Sequence, residues 1–295
     1  RGEYGVLPPG DLLKCILALS PHQEFARYFL LKRFREDRRL RGHNAGNMLL
    51  TMLSRYTGSF TSGVQALAEI LDVQGRILPV TTDKATLVAE LTNGSRIYGE
   101  QAIDMPRGTQ REKIRDVYLV PHHSDLVRVY PPVIKAIEEA ELILLGPGDL
   151  FTSILPNLVV PGVTEALLAT RAPLYYVINI MTKYGETHRF KARDFVAELE
   201  NVLRRRLDGI IYNTARPDEA LLRAYAEQKA EFVVVDRSDD WWADRRVMSA
   251  DLLDTTGGVV RHDSRKLAAL IEDLARDLFD GEPSAFRQAY PKNTG

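Results

Sequence analysis

The chain has 295 residues, enough for one large domain or two of roughly 150 residues each. Hydrophobic residues make up 45% and charged residues 27%, a globular balance that excludes a disordered chain and a fibrous repeat. Lys and Arg number 39 against 40 Asp and Glu, a net charge of -1 that removes any chain-wide electrostatic case for nucleic acid, and the one cysteine, Cys15, excludes an intrachain disulfide.

No apolar run approaches the ~20 residues of a membrane-spanning helix and none resembles a signal peptide, so a soluble cytoplasmic protein without a membrane span is expected. The chain opens on Arg1-Gly2-Glu3-Tyr4-Gly5 without a methionine, which reads as the interior of a longer sequence. The first 75 residues read as helical, with apolar residues on a helical period over 25–31, 47–56 and 64–71. After Gly75 the pattern changes. Segments 76–80 and 86–91 read as strands, Asn93-Gly94 signals a type I′ hairpin into 95–98, and a further strand runs through 117–120. This stretch, about 76–120, reads as a small β-rich insertion.

From Tyr130 onward helices and apolar strands alternate: a helix over 131–140, strand 142–145, helix 163–170, strand 174–180, helix 192–206, strand 209–212, helix 218–229 and strand 232–235. Wholly apolar strands between helices imply a parallel sheet covered on both faces. A last helix over 264–279 has Ser264 as its expected N-cap and Leu267, Leu270, Ile271 and Leu274 on one face. The expected architecture is a single α/β domain, 1–295, with a Rossmann-like parallel sheet.

Ligands of such sheets bind beyond the carboxyl ends of the strands, so the residues after each strand are the first candidates. Strand 142–145 runs into Gly146-Pro147-Gly148-Asp149, followed by Thr152, Ser153 and Asn157. The glycines let backbone approach an anion, or they build a tight turn with Asp149 as a helix N-cap. The next strand ends in Asn179, Thr182, Lys183 and Glu186, which offer hydrogen bonds to a base or ribose and a charge for phosphate. Asn213 and Thr214 close the third strand. His43, Asn44, Gly46 and Asn47 precede a helix, where an asparagine N-cap with a surface histidine serves equally well. Asp11 follows a Pro-Pro-Gly turn and is either an N-cap or a carboxylate facing a pocket. Arg261 sits between an apolar pair and the last helix, a place for a phosphate-pairing guanidinium or a surface ion pair. Adjacent His122 and His123 rarely converge on one ion, so no metal site is expected there. Arg204-Arg205-Arg206 reads as a helix end, and Trp241-Trp242 as either a contact surface or packing.

Four motifs in order, Leu-Pro-Pro-Gly-Asp (7–11), Gly-His-Asn-Ala-Gly-Asn (42–47), Leu-Gly-Pro-Gly-Asp-Leu-Phe-Thr-Ser-Ile-Leu-Pro-Asn-Leu (145–158) and Asn-Ile-Met-Thr-Lys-Tyr-Gly-Glu-Thr (179–187), resemble the YvcK or gluconeogenesis factor family, within the CofD-like superfamily. The resemblance runs from about residue 4 to about 275. It implies a Rossmann-like fold, binding of UDP-sugars such as UDP-N-acetylglucosamine, and regulation of central carbon use, cell-wall synthesis and cell shape. It also implies an N-terminal strand and a Gly-rich loop upstream of Arg1. Asn44, Asp149, Lys183 and Tyr184 depart from the family pattern; a carboxylate at 149 disfavours phosphate unless it caps a helix or holds a cation. The Arg261–Ser264 stretch resembles the place of a ligand-binding arginine and a phosphorylatable hydroxyl.

The leading expectation is therefore a regulator without catalysis of its own. Backbone near Gly46, Gly146 and Gly148 would cradle a diphosphate, Asn179, Thr182 and Asn213 would read nucleoside or sugar, and Arg261 would pair with phosphate. The alternative is a CofD-like 2-phospho-L-lactate transferase using a GDP-linked donor and Mg²⁺, with Asp11 and Asp149 as metal ligands. An NADP-binding protein is a third option. Regulatory protein partners and a homo-oligomer are compatible with all three; nucleic acid is not an expected partner.

Overall fold

The computed structural model describes residues 10–34, 43–105, 111–236, 240–243 and 245–279. Leu7, Pro8 and Pro9 of the first motif and Gly42 of the second lie outside them. The elements are, in order, α1 (Gly10–Ala18), α2 (Gln23–Leu30), α3 (Ala45–Tyr56), α4 (Phe60–Ile70), β1 (Ala85–Leu91), β2 (Arg96–Tyr98), α5 (Glu100–Asp104) and β3 (Ile114–Pro121). Then come α6 (Pro131–Glu138), β4 (Ile143–Leu145), a π-helical turn (Leu150–Ile154) continuing into α7 (Leu155–Leu158), α8 (Val163–Ala169), β5 (Leu174–Val177) and α9 (Ala192–Leu203). The chain finishes with β6 (Gly209–Asn213), α10 (Glu219–Glu227), β7 (Arg246–Ala250), β8 (Leu253–Asp254), β9 (Arg261–His262) and α11 (Ser264–Phe279).

Contacts divide the chain into two compact units. One is Arg1–Thr86 with Leu119–Ile137 and Val160–Ala166; the other is Leu87–Tyr118, Glu138–Val159 and Leu167–Gly295. The first unit is helical at its centre. Leu13, Ile16, Leu17, Leu50, Val64 and Leu67 form its core, with the apolar stripes of α1, α3 and α4 facing one another. Asn44 caps α3 through an Oδ1 that accepts from Asn47 N–H at 2.7 Å, and Ser59 caps α4 by accepting from Ser62 N–H at 3.0 Å. Each cap starts its helix earlier than the apolar period alone suggests.

The second unit holds the parallel sheet, in the order β4-β5-β6-β7. Leu144 pairs with Tyr175, Tyr176 with Ile210, and Ile211 with Met248, all parallel. Tyr175, Val177 and Ile211 turn one face toward Leu267, Leu270, Ile271 and Leu274 of α11. Tyr176 and Ile210 point the other way and are equally buried. The expected α/β class and parallel sheet are borne out. So is the hairpin β1–β2, although its turn differs: Gly94 has φ +82 while Asn93 keeps an ordinary φ, and Leu91 N–H reaches Ser95 O. That is a three-residue loop ending in a left-handed glycine, which only the residue lacking a Cβ adopts cheaply.

Two expected strands are absent. Residues 76–80 form no ladder; at their end Tyr130 N–H donates to Val80 O. Residues 232–235 form a single bridge, Phe232 to Met181, because they lie against the loop after β5; the free edge of β6 is taken instead by β7, which the sequence reading passed over. The strand expected over 174–180 stops at Val177. Asp263, not Ser264, caps α11, its Oδ1 accepting from Arg265 and Lys266 N–H at 2.9 and 3.1 Å.

Candidate functional site

The loops after β4 and β5 build a site within the second unit. Beyond Leu145 the chain turns through Gly146-Pro147-Gly148, and Asn179 fixes that turn. Its Nδ2 donates to Gly148 O at 2.8 Å, and its Oδ1 accepts from Gly148 N–H at 3.4 Å and from Tyr176 Oη at 3.2 Å. Tyr176 is fully buried, and burial raises its pKa, so the hydroxyl stays a donor. Gly146 is exposed, with no atom within 4 Å of where a Cβ would stand. The turn is thus held on one side and open on the other.

A charge cluster lies directly beyond it. Glu186, 1% exposed, accepts from Phe151 N–H at 3.1 Å and from Thr152 Oγ1 at 3.1 Å. Lys183 Nζ bonds Asp104 and Asp149, the latter at 2.6 Å, and stands 3.3 Å from Glu186 Oε1. Burial pushes the Glu186 carboxyl above its ordinary range, with Lys183 opposing it. For Lys183, burial alone would lower the ammonium, but Asp104, Asp149 and Glu186 together outweigh it and hold it above its ordinary value. Oxygens of Asp104, Asp149 and Glu186 lie within 4.8 Å of one another, a donor set of the kind Mg²⁺ takes. As arranged, however, the centre of that set is filled by the lysine ammonium. Arg111 lies within electrostatic reach of Glu186, with Nε and Nη2 buried and no hydrogen-bond partner among the described residues; burial lowers its pKa while Glu186 opposes. His188 is lowered too, by burial and by the neighbouring Lys113 and Arg189.

The structure gives several expected ligand contacts other work. Thr182 is buried and pins the loop, its Oγ1 accepting from Glu231 N–H at 2.8 Å. Asn213 bonds backbone with both ends of its amide: Nδ2 donates to Ala215 O at 2.6 Å, and Oδ1 accepts from Leu252 N–H at 2.9 Å. Each of these bonds stands in for a strand neighbour the backbone lacks. Asn157 bonds back to Ser153 O at 2.7 Å on its own helix, and Ser153 is exposed. Asp149 makes no N-cap hydrogen bond; its carboxylate goes to Lys183.

Five of the remaining candidates belong to the first unit. Asn44 is the N-cap described above, His43 is exposed, and Asn47 Oδ1 is buried with no hydrogen-bond partner among the described residues. Gly46 is buried beneath α1, where a Cβ would meet Leu13 side-chain carbons at 2.5 and 2.9 Å. It is a helix-packing glycine. Asp11 lies inside the first turn of α1, with its side chain outside the described residues. In the second unit, Arg261 is exposed on β9. His122 Nε2 meets Thr86 Oγ1 at 2.7 Å, and Arg205 pairs with Asp208 at 2.6 Å. Trp242 is buried, and Trp241 stacks under Arg245 at 3.8 Å, so the pair is packing. The sequence reading missed Asp104 and Arg111. Both sit in the insertion outside any motif, and only the folded insertion brings them to Glu186.

These features define a parallel α/β protein with its polar loops at the strand ends, and comparison places it: the chain belongs to the family of 2-phospho-L-lactate transferase CofD, whose model matches residues 1–253. A Bacillus subtilis relative described as a gluconeogenesis factor is 33% identical over 94% of this chain and 86% of its own length. A Listeria monocytogenes gluconeogenesis factor is 35% identical over 91% of this chain and 80% of its own. A third relative, from Nostoc sp., is 36% identical over 92% of this chain, which spans only 59% of that protein. The crystal structure of a Bacillus halodurans member of the UPF0052 family superposes with a TM-score of 0.84 at 31% identity, over 92% of this chain and 85% of that one. The resemblance read from the four motifs holds. Among the described residues, no single helix is long and apolar enough to cross a membrane.

Proposed function

We propose that the protein is a nucleotide-sugar-binding regulator, with UDP-N-acetylglucosamine or a similar UDP-sugar as its ligand, acting in the cytoplasm on gluconeogenic carbon use, cell-wall synthesis and cell shape. The name carried by the Bacillus and Listeria relatives supports the regulatory half of this reading. The observation that carries the binding half is the pairing of Asp149 with Lys183 at 2.6 Å. A bare carboxylate beside the Gly146–Gly148 turn would repel a diphosphate; the Lys183 ammonium bound to it lessens that repulsion. The turn is preset by Asn179 and open at Gly146, so little ordering cost falls on binding. Arg261 is the proposed second cation for phosphate.

The second reading is a CofD-like transferase, favoured by the family's description and by the three clustered carboxylates. Calorimetric titration with UDP-N-acetylglucosamine, with GDP plus Mg²⁺ and with NADP separates the readings. Saturable UDP-sugar binding without turnover is expected. Silence toward UDP-sugars with Mg²⁺-dependent GDP binding refutes the regulator and favours the transferase; saturable NADP binding alone refutes both.

A further inference from the structure

We infer that the Lys183 ammonium is a built-in occupant of the place a divalent cation would take, so that the three-carboxylate cluster of this chain is assembled around a cation of its own, without metal. The carboxylates come from three separate stretches: Asp104 from the end of α5, Asp149 from the loop after β4, and Glu186 from the loop after β5. Bringing three such groups within 4.8 Å of one another calls for a positive charge between them. An ammonium has three N–H donors, and Lys183 Nζ contacts one oxygen of each carboxylate: Asp104 Oδ1, Asp149 Oδ2 and Glu186 Oε1. Donors and partners match one for one.

The lysine is not a surface side chain that wandered in. Its backbone N–H donates to Thr187 Oγ1 at 3.0 Å, and Thr182 before it is pinned to Glu231 on both sides. The stem therefore starts from a fixed point, three residues from one of its own partners. The side chain of Glu186 is 0% exposed, so water does not compete for that oxygen. A Mg²⁺ ion needs carboxylate oxygens at about 2.0–2.1 Å, which requires the place the ammonium fills. An ion and the ammonium exclude each other by volume and by charge. The inference does not depend on which anionic ligand the site takes.

The test uses Mn²⁺ alone, with no nucleotide, on the full chain at neutral pH, reading free Mn²⁺ by electron paramagnetic resonance and Tm in parallel. Wild type is expected to show no Mn²⁺ binding that depends on Asp149, and the same Tm in Mg²⁺ and in EDTA. Lys183→Ala, which vacates the centre, gains one Mn²⁺ site at least tenfold tighter than anything in wild type, with a Tm raised by Mn²⁺. That site is lost again in Lys183→Ala/Asp104→Asn. Wild-type Mn²⁺ binding abolished by Asp149→Asn overturns the inference. So does a Lys183→Ala protein that gains no site, one whose gained site survives the Asp104→Asn change, or one that is unfolded with and without Mn²⁺, since the ammonium would then not be interchangeable with an ion. Because nucleotide is absent, failure here leaves the UDP-sugar reading to its own titration.

Discussion

Replacing Asn179 with alanine tests how the Gly-Pro-Gly turn is held. The substitution deletes the 2.8 Å bond from Nδ2 to Gly148 O and the long 3.4 Å contact from Gly148 N–H. The first is worth about 1 kcal/mol net and the second little. It also strands the Tyr176 hydroxyl, which donates to Asn179 Oδ1 at 3.2 Å from a fully buried ring. An unsatisfied buried hydroxyl costs about 1–3 kcal/mol, so Asn179→Ala should lose about 2–4 kcal/mol in all. Urea unfolding followed by far-ultraviolet circular dichroism measures it. With Tyr176→Phe as background there is no hydroxyl to strand, and the same change should cost only about 1 kcal/mol, a coupling of about 1–3 kcal/mol in the double-mutant cycle. A single-mutant loss below about 0.5 kcal/mol, or equal losses in the two backgrounds, would refute the clamp.

Lys183 is held above its ordinary value of 10.5 in the folded chain, so the stability it contributes is fully present below about pH 10.5 and is lost as pH rises through the folded value; unfolding curves should show wild type losing its advantage over Lys183→Met only at alkaline pH. His262 titrates in the opposite sense. Burial lowers it from 6.5, its Nε2 has no partner among the described residues, and the unfolded chain takes up the proton first, so stability falls as pH drops below about 6.5 and His262→Gln should flatten that limb of a Tm–pH profile. Gly46→Ala drives a methyl into Leu13 and should destabilise by about 1–3 kcal/mol in urea, with no effect expected from a backbone contact to ligand. Arg261→Ala should weaken UDP-sugar binding in calorimetry while leaving Tm unchanged, and an unchanged affinity removes Arg261 from the site.

The parallel sheet was legible because its strands are short and wholly apolar, a pattern that survives without knowledge of neighbours. Leu174–Val177 and Gly209–Asn213 are buried almost throughout. Residues 232–235 carry the same pattern and are no strand, since which segment pairs with β6 is decided by loop geometry and not by composition. The loops that matter were also legible: Gly146–Asp149, Asn179, Lys183 and Glu186 do converge. What they do there was not. Asn and Thr after a strand read equally well as ligand contacts or as stand-ins for backbone partners, and the backbone bonds of Thr182 and Asn213 come from segments far off in sequence. Asp104 had no local signal at all. Its place beside Lys183 comes from a contact long in sequence, which only folding reveals.

The π-helical turn at Leu150–Ile154 sets a limit on chain length as well as on residue identity. Asp149 O accepts from both Ser153 and Ile154 N–H, at 2.8 and 3.1 Å, so the turn accommodates one residue more than an α-helical turn would. Removing that residue would regularise the helix and raise its local propensity. It would also rotate everything on the N-terminal side by about 100° relative to α7. Gly148 would swing away from Asn179, and Asp149 from Lys183. Substitutions within 150–154 are therefore tolerable where the packing of Leu150 and Phe151 and the Thr152 bond to Glu186 are kept, whereas a single-residue deletion there dismantles the site while leaving the helix in better order than before.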